Sequence, residues 1–153
     1  LSQVNLNELI ADAIEPVRAL AAEKNAGIES VIPNSMFLVR CDEDLIKQVL
    51  NNLLSNAIKF VEEKKGLIKV SVHTNHNELQ VWVEDNGRGI PDDVKELIFD
   101  KFFQARNQTL KKPHGTGLGL AIRKKIVEMH AGNIWAENSH LNGARFIFTL
   151  PNG

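Results

Sequence analysis

A chain of 153 residues, 43% hydrophobic and 24% charged, has the size and composition of one ordinary globular domain. Its formal net charge of −1 excludes a general electrostatic attraction to nucleic acid or to an anionic membrane, so local groups must hold any anionic ligand. A single cysteine, Cys41, excludes an internal disulfide and is typical of a reducing compartment.

The chain has no apolar run near the ~20 residues that span a bilayer, and no signal peptide opens it. We therefore expect a cytoplasmic domain that makes no direct membrane contact. A parent protein anchored in the inner membrane is compatible with this expectation.

Hydrophobic periodicity and turn signals divide the chain into helices and short strands. Pro16 lies within the first helical pattern and indicates a kink or a later start, whereas Asp42 is a suitable N-cap for the second. The predicted elements are a helix at about 6–24, strands at Ile28–Ile32 and Phe37–Arg40, a helix at about 43–62, strands at Leu67–Thr74 and Leu79–Glu84, a short helix near 92–98, a helix from about Gly117 to His130, and strands at Asn133–Asn138 and Ala144–Leu150.

This order predicts an α+β fold, a two-layer α/β sandwich in which a mixed, mainly antiparallel sheet packs on three helices. The stretch from about 99 to 116 does not fit either element type, because it has few large apolar residues after Phe103. Loops of that length are usually functional lids or disordered.

The second predicted helix carries a polar stripe beside its apolar face, formed by Gln48, Asn52, Asn56 and Lys59. A solvated surface is the plain interpretation. Asparagine is a poor mid-helix residue, however, and two of them four residues apart lower helix stability without a structural return. An amide oxygen and an ammonium on adjacent turns suit Mg²⁺ and phosphate.

The loop Asp85–Gly89 (DNGRG) follows a predicted strand. Asn-Gly ordinarily forms a tight hairpin turn, but the Ile90–Asp93 segment that follows (IPDD) is typical of a helix start. The loop is therefore predicted to leave the sheet with Asp85 at the strand end. A buried carboxylate there accepts a hydrogen bond from an adenine amino group, whereas guanine presents an oxygen that repels it.

The segment Gly115–Leu120 (GTGLGL) opens the third long helix. Glycines at a helix N-terminus leave backbone N–H groups free for phosphate oxygens. The segment is not a dinucleotide fingerprint, because Leu120 stands in the third glycine position, and it is not a P-loop, because no Gly-Lys-Ser/Thr follows. Taken alone, a flexible hinge before a helix explains it equally well.

Together and in this order, these segments resemble the ATP-binding catalytic domain of bacterial sensor histidine kinases, which has the Bergerat fold. The resemblance covers residues 1–153, with 1–5 as the end of a linker from an absent dimerisation and phosphoacceptor domain. The segments similar to the family's asparagine, first glycine, phenylalanine and second glycine boxes are Asn52–Phe60 (NLLSNAIKF), Asp85–Ile90 (DNGRGI), Ile98–Phe103 (IFDKFF) and Gly115–Leu120 (GTGLGL).

The resemblance implies roles for these residues, with Asn52, Asn56 and Lys59 as the catalytic set. Asn56 would bind Mg²⁺, Lys59 would contact phosphate, and Asn52 would lie one turn earlier at the same site. Phe60 would flank the sugar or base, and Asp85 would bind the adenine amino group. The remaining residues implied in ATP binding are Gly87, Gly89, Ile90, Phe99, Gly115, Thr116, Gly117, Leu118, Gly119 and Leu120. Residues from about 100 to 114 would form a mobile ATP lid.

Position 52 separates the relatives that share this fold. Those that hydrolyse ATP place a glutamate there to deprotonate water, whereas the amide of Asn52 cannot accept a proton. A neutral imidazole is already a competent nucleophile near neutral pH. The resemblance therefore implies transfer of the γ-phosphoryl group of ATP to a histidine rather than hydrolysis.

In the family, an acidic residue follows the acceptor histidine. None of the histidines of this chain is followed by an acidic residue; they are His73, His76, His114, His130 and His140. We therefore expect the acceptor on the dimerisation domain of the same protein, with a response regulator as the downstream partner. Two alternatives remain open: a serine kinase of the anti-sigma type, and a non-catalytic ATP-sensing module.

Overall fold

In the part of the chain that the structure describes, three amphipathic helices cover one face of a five-stranded sheet. The computed structural model describes residues 1–61, 65–75, 77–89, 119–139 and 141–151, without the side chains of residues 119 and 120. The elements are β1 (Ser2–Asn5), α1 (Leu6–Glu23), β2 (Gly27–Val31), β3 (Leu38–Cys41), α2 (Glu43–Phe60), β4 (Leu67–Thr74), β5 (Glu78–Asp85), α3 (Gly119–Met129), β6 (Ile134–Asn138) and β7 (Ala144–Pro151).

The main sheet has the strand order β2-β4-β5-β7-β6. Among the described strands, the β2–β4 pair is parallel, and the β4–β5, β5–β7 and β6–β7 pairs are antiparallel. Strands β1 and β3 form a separate antiparallel pair. The predicted sandwich of a mixed, mainly antiparallel sheet on three helices is confirmed.

The first helix is continuous from Leu6 through Pro16 to Glu23, so the alternative of a later start is wrong. Its N-cap explains the early start, because the Asn5 side chain accepts hydrogen bonds from the backbone N–H groups of Asn7 and Glu8 at 3.0 and 3.3 Å. Strand β1 was not among the predicted elements. The predicted helix near 92–98 and the lid lie outside the described residues.

Alternation along the strands separates the two faces of the sheet. Ile68, Val70 and Val72 of β4 face the helices and are buried in the single core cluster. His73 and Trp82 lie on the opposite face, where their rings stack with centroids 3.7 Å apart. Among the described helices, none is long and apolar enough to cross a membrane.

Contacts at the helix ends set the helix directions. α1 and α2 end together, where the Lys24 Nζ lies 2.7 Å from the Ile58 carbonyl oxygen. The start of α1 is held beside the residue before β3, because the Leu6 N–H donates to the Phe37 carbonyl at 2.8 Å. α3 runs the other way. His130, directly after α3, accepts a hydrogen bond at Nε2 from the Asp42 N–H at 3.0 Å, so the end of α3 lies at the start of α2.

Candidate functional site

Asp85 ends β5 and is almost fully buried, with 1% of its surface exposed. Its Oδ1 accepts hydrogen bonds from the backbone N–H groups of Gly87 at 2.8 Å and Ala144 at 3.3 Å. Its Oδ2 has no hydrogen-bond partner among the described residues. Burial raises the pKa of this carboxyl, the two backbone donors oppose that rise, and Glu84 adds to it. Asp85 thus stands at a strand end, where the sequence predicted it, and its role in adenine binding stays a prediction.

The loop after Asp85 touches the end of α2. A Cβ on Gly87 would collide with the carbonyl oxygen of Phe60, so the two backbones are in direct contact. The Arg88 guanidinium lies 5.7 Å from the centre of the Phe60 ring, and residue Phe60 is 37% exposed. The end of the asparagine-rich helix and the Asp85 loop therefore share one corner of the molecule, as the site hypothesis requires.

Asn86 fastens this loop to the start of β4. Its side-chain oxygen accepts from the Leu67 N–H at 2.9 Å, and its side-chain amide donates to the Lys65 carbonyl at 2.9 Å. Its backbone N–H donates to the Leu67 carbonyl at 3.2 Å. The Asn-Gly pair thus makes no hairpin, because the asparagine side chain pairs with a neighbouring strand instead.

Gly143, in the β6–β7 turn, is a site residue that the sequence reasoning missed. A Cβ there would collide with the backbone and carboxyl oxygens of Asp85 and approach the Gly87 nitrogen within 2.5 Å. Gly89, with φ +77°, lies on the other side of the turn. Asn142-Gly143 between two strand patterns was a turn signal, but nothing local indicated that the turn packs on Asp85.

The polar stripe of α2 lies beside this corner. The Asn52 Oδ1, like that of Asn51, is buried without a hydrogen-bond partner in the described part of the chain. Asn56 is half-buried, and Lys59 is exposed at the last turn. Partial desolvation lowers the pKa of Lys59. Buried polar atoms in native proteins normally have partners, so these amide oxygens are suited to a ligand that supplies one.

α3 packs along α2 in the opposite direction. Its 11 residues span about 16 Å, which directs its first residue, Gly119, towards the middle of α2. One turn later, the Arg123 Nε is buried and unpaired within the described ranges, and desolvation lowers the pKa of Arg123. Of the other predicted site residues, Ile90, Phe99, Gly115, Thr116, Gly117 and Leu118 lie outside the described residues, as does the side chain of Leu120.

Carboxylates and histidines do not form a metal site in the described ranges, since no group of three or more His, Cys, Asp or Glu side chains could hold an ion. A cation at this corner would therefore depend on the amide oxygens of α2 and on oxygens of a ligand. Mg²⁺ is commonly bound in this way, with few protein ligands and several oxygens from phosphate and water.

Residues 41–153 match the family described as histidine kinase-, DNA gyrase B- and HSP90-like ATPase. The chain belongs to this family. Over 144 residues, 94% of its length, it is 38% identical to the adaptive-response sensory kinase SasA of Synechocystis sp., of which it spans 37%.

Two solved structures of histidine kinases are similar to this domain over nearly its whole length. It superposes on the catalytic domain of histidine kinase ThkA with a TM-score of 0.86 and 37% identity, covering 99% of this chain and 97% of that one. It matches ThkA in complex with the response regulator protein TrrA with a TM-score of 0.83 and 36% identity, covering 99% of this chain and 42% of that one. The domain is therefore of the histidine-kinase catalytic type, as the resemblance implied.

Replacing Asp85 with asparagine tests the buried charge. Because the pKa of Asp85 is raised in the folded domain above the ordinary 3.8, ionising the carboxyl opposes folding. Wild-type stability should fall as pH rises from about 3.8 through the folded pKa, and Asp85→Asn removes this loss. We expect the unfolding free energy of the variant, minus that of the wild type, to increase with pH in urea titrations. A difference that is constant or decreases with pH would contradict the burial argument.

The Gly143→Ala substitution tests the turn that supports Asp85. Because the added methyl group meets backbone atoms that cannot move away cheaply, we expect a loss of about 1–3 kcal/mol of unfolding free energy, measured by chemical denaturation. Gly27→Ala is the matched control, since a Cβ there meets only the Leu67 side chain, at 3.9 Å. Equal stabilities for the two variants would show that the turn does not press on Asp85.

Proposed function

We propose that this domain binds ATP with Mg²⁺ and transfers the γ-phosphoryl group to a histidine on a separate dimerisation domain. The observation that carries the proposal is a pair of buried polar atoms that have no hydrogen-bond partner among the described residues, the Asp85 Oδ2 and the Asn52 Oδ1. The contact between Gly87 and Phe60 joins the elements that bear them.

Adenine fits the carboxylate chemically. The Asp85 Oδ2 is an acceptor without a donor among the described residues, and the exocyclic amino group of adenine would supply one. Guanine would place an oxygen against the same carboxylate. Discrimination between the two bases is large because guanine would leave the buried carboxylate without a hydrogen-bond partner.

The polar stripe of α2 suits the triphosphate. Asn56 offers a hard amide oxygen for Mg²⁺, and Lys59 offers a point charge one turn later for a phosphate. Partial desolvation lowers the pKa of Lys59. A bound anionic ligand would favour the charged ammonium of Lys59 and so oppose that shift. The bound metal would neutralise charge on the transferred group, which is most of what phosphoryl transfer requires from its site.

Transfer is favoured over hydrolysis by the residue one turn before Asn56. Asn52 carries an amide, which cannot take a proton from water. In the proposed arrangement the Asp85 Oδ1 accepts from two backbone donors and its Oδ2 pairs with the adenine amino group, so this carboxyl is not available to take a proton from water. An imidazole nucleophile needs little help from a base, so it does not require a glutamate at position 52.

The two described histidines are poor acceptors. Both ring nitrogens of His130 are engaged, with Nδ1 2.8 Å from the Ile126 carbonyl and Nε2 accepting from the Asp42 N–H. His73 stacks on Trp82 on the far face of the sheet, with its Nε2 3.0 Å from the Ser71 hydroxyl. This supports an acceptor in the dimerisation domain.

The ThkA complex with TrrA supports a response regulator as the next partner, in a two-component pathway operating in the cytoplasm. The whole parent protein would perform that function, since the chain spans 37% of its SasA relative.

A transfer assay tests the proposed reaction. The domain is mixed with Mg²⁺, γ-radiolabelled ATP and a separately prepared helical hairpin that carries a histidine followed by an acidic residue. We expect label on the hairpin that is labile in acid and stable in alkali. Asp85→Asn, which would lose the adenine contact, should transfer no label. Acid-stable label would instead support a serine kinase, and binding without transfer would support the sensing module.

Replacing Asn56 with alanine tests the metal role. A bound Mg²⁺ contributes several kcal/mol of charge stabilisation, so we expect transfer to fall on the order of a hundredfold or more. Nucleotide affinity measured in EDTA should be nearly unchanged. Asp44→Asn, an exposed change in the first turn of the same helix and outside the polar stripe, should alter neither quantity. Equal losses with and without the metal would assign Asn56 to the nucleotide rather than to Mg²⁺.

A further inference from the structure

The Lys24 side chain closes the C-terminal end of α2. Its Nζ lies 2.7 Å from the Ile58 carbonyl oxygen, 2.9 Å from that of Val61 and 3.3 Å from that of Lys59. The last four carbonyls of a helix lack intrahelical partners and carry its negative dipole end. An ammonium has three N–H donors, and here each has a carbonyl within reach.

Lys24 is itself held in place by the end of α1. The chain turns there through Asn25, with φ +56°, and the Ala26 N–H donates to the Ala21 carbonyl at 2.9 Å. This pattern is a Schellman motif, which ends a helix at a defined residue. Gly66 packs against the same junction, since a Cβ on it would lie 2.9 Å from the Val61 Cβ and 3.0 Å from the Ala26 Cβ.

The turn that Lys24 closes carries the phosphate side of the site. Lys59 lies in it, and Asn56 lies one turn earlier. The adenine side meets this turn through the contact of Gly87 with Phe60, but it also has supports of its own, because Asn86 ties the Asp85 loop to β4 and Ala144 ties Asp85 to β7. A change at Lys24 should therefore affect the two halves of the nucleotide unequally.

We propose that Lys24 is a positioning residue for phosphate binding, which acts through the last turn of α2 and makes no contact with the nucleotide. This inference rests on the proposed function, in which Lys59 contacts phosphate. Because the Lys24 ammonium is occupied by three carbonyls, its part is to hold the direction in which Lys59 leaves the helix.

The test compares adenosine with ATP·Mg²⁺ by calorimetry on the domain. We expect Lys24→Met to weaken ATP·Mg²⁺ binding about tenfold and adenosine binding less than about twofold. Lys24→Arg, which keeps a donor to the carbonyls, should recover part of the loss. Arg18→Met removes an exposed cation of α1 and should change neither affinity. If Lys24→Met does not unfold cooperatively, Lys24→Gln takes its place in the comparison.

A double variant decides whether Lys24 acts through Lys59. If it does, Lys24→Met should weaken ATP·Mg²⁺ binding little further once Lys59→Met is present. Fully additive losses, or equal losses for adenosine and ATP·Mg²⁺, would overturn the positioning role while leaving the proposed function standing. Unchanged ATP·Mg²⁺ affinity in Lys59→Met alone would contradict the phosphate contact itself, and the role of Lys24 with it.

Discussion

The close approach of Gly87 to the carbonyl of Phe60 is the constraint on which the site depends. It joins the end of the central strand β5 to the end of the helix that carries the asparagines, two segments separated by the whole of β4. A side chain at position 87 would separate the Asp85 carboxylate from Asn56 and Lys59, because it would collide with a backbone atom. The glycine is needed here for close approach rather than for an unusual dihedral angle.

Around that contact, the domain buries polar atoms that lack hydrogen-bond partners among the described residues. Asp85 is buried with one carboxylate oxygen unpaired among the described residues, and its raised pKa reports the free energy of that burial. The Asn52 amide oxygen is in a similar position. Such groups lower the stability of the empty domain, and a ligand that pairs them recovers the loss. This is the physical link between a buried, incompletely paired site and selective nucleotide binding.

The hydrogen bonds around the site join the ends of helices and strands rather than their middles. Lys24 closes the end of α2, His130 meets its start, and Asn86 and Ala144 hold the Asp85 loop between two strands. His130 does this with both ring nitrogens, because its Nε2 accepts from a backbone N–H and its Nδ1 lies by a carbonyl. Each of these contacts joins residues far apart in the chain, so the rigidity of the site is a property of the whole domain.

The sequence by itself determined the elements and the chemical character of the site. Hydrophobic periodicity predicted all three long helices and the strands β4, β5, β6 and β7, and the predicted end of β5 located Asp85, because these signals are local. Strand β1 had no such signal, since its four residues are mostly polar and are held by pairing with β3. Only the tertiary structure decided that Gly143 presses on Asp85, that Asn86 pairs with β4 and that Lys24 closes α2. Their partners are distant in sequence, and the identity of one residue carries no information about which distant backbone it will meet.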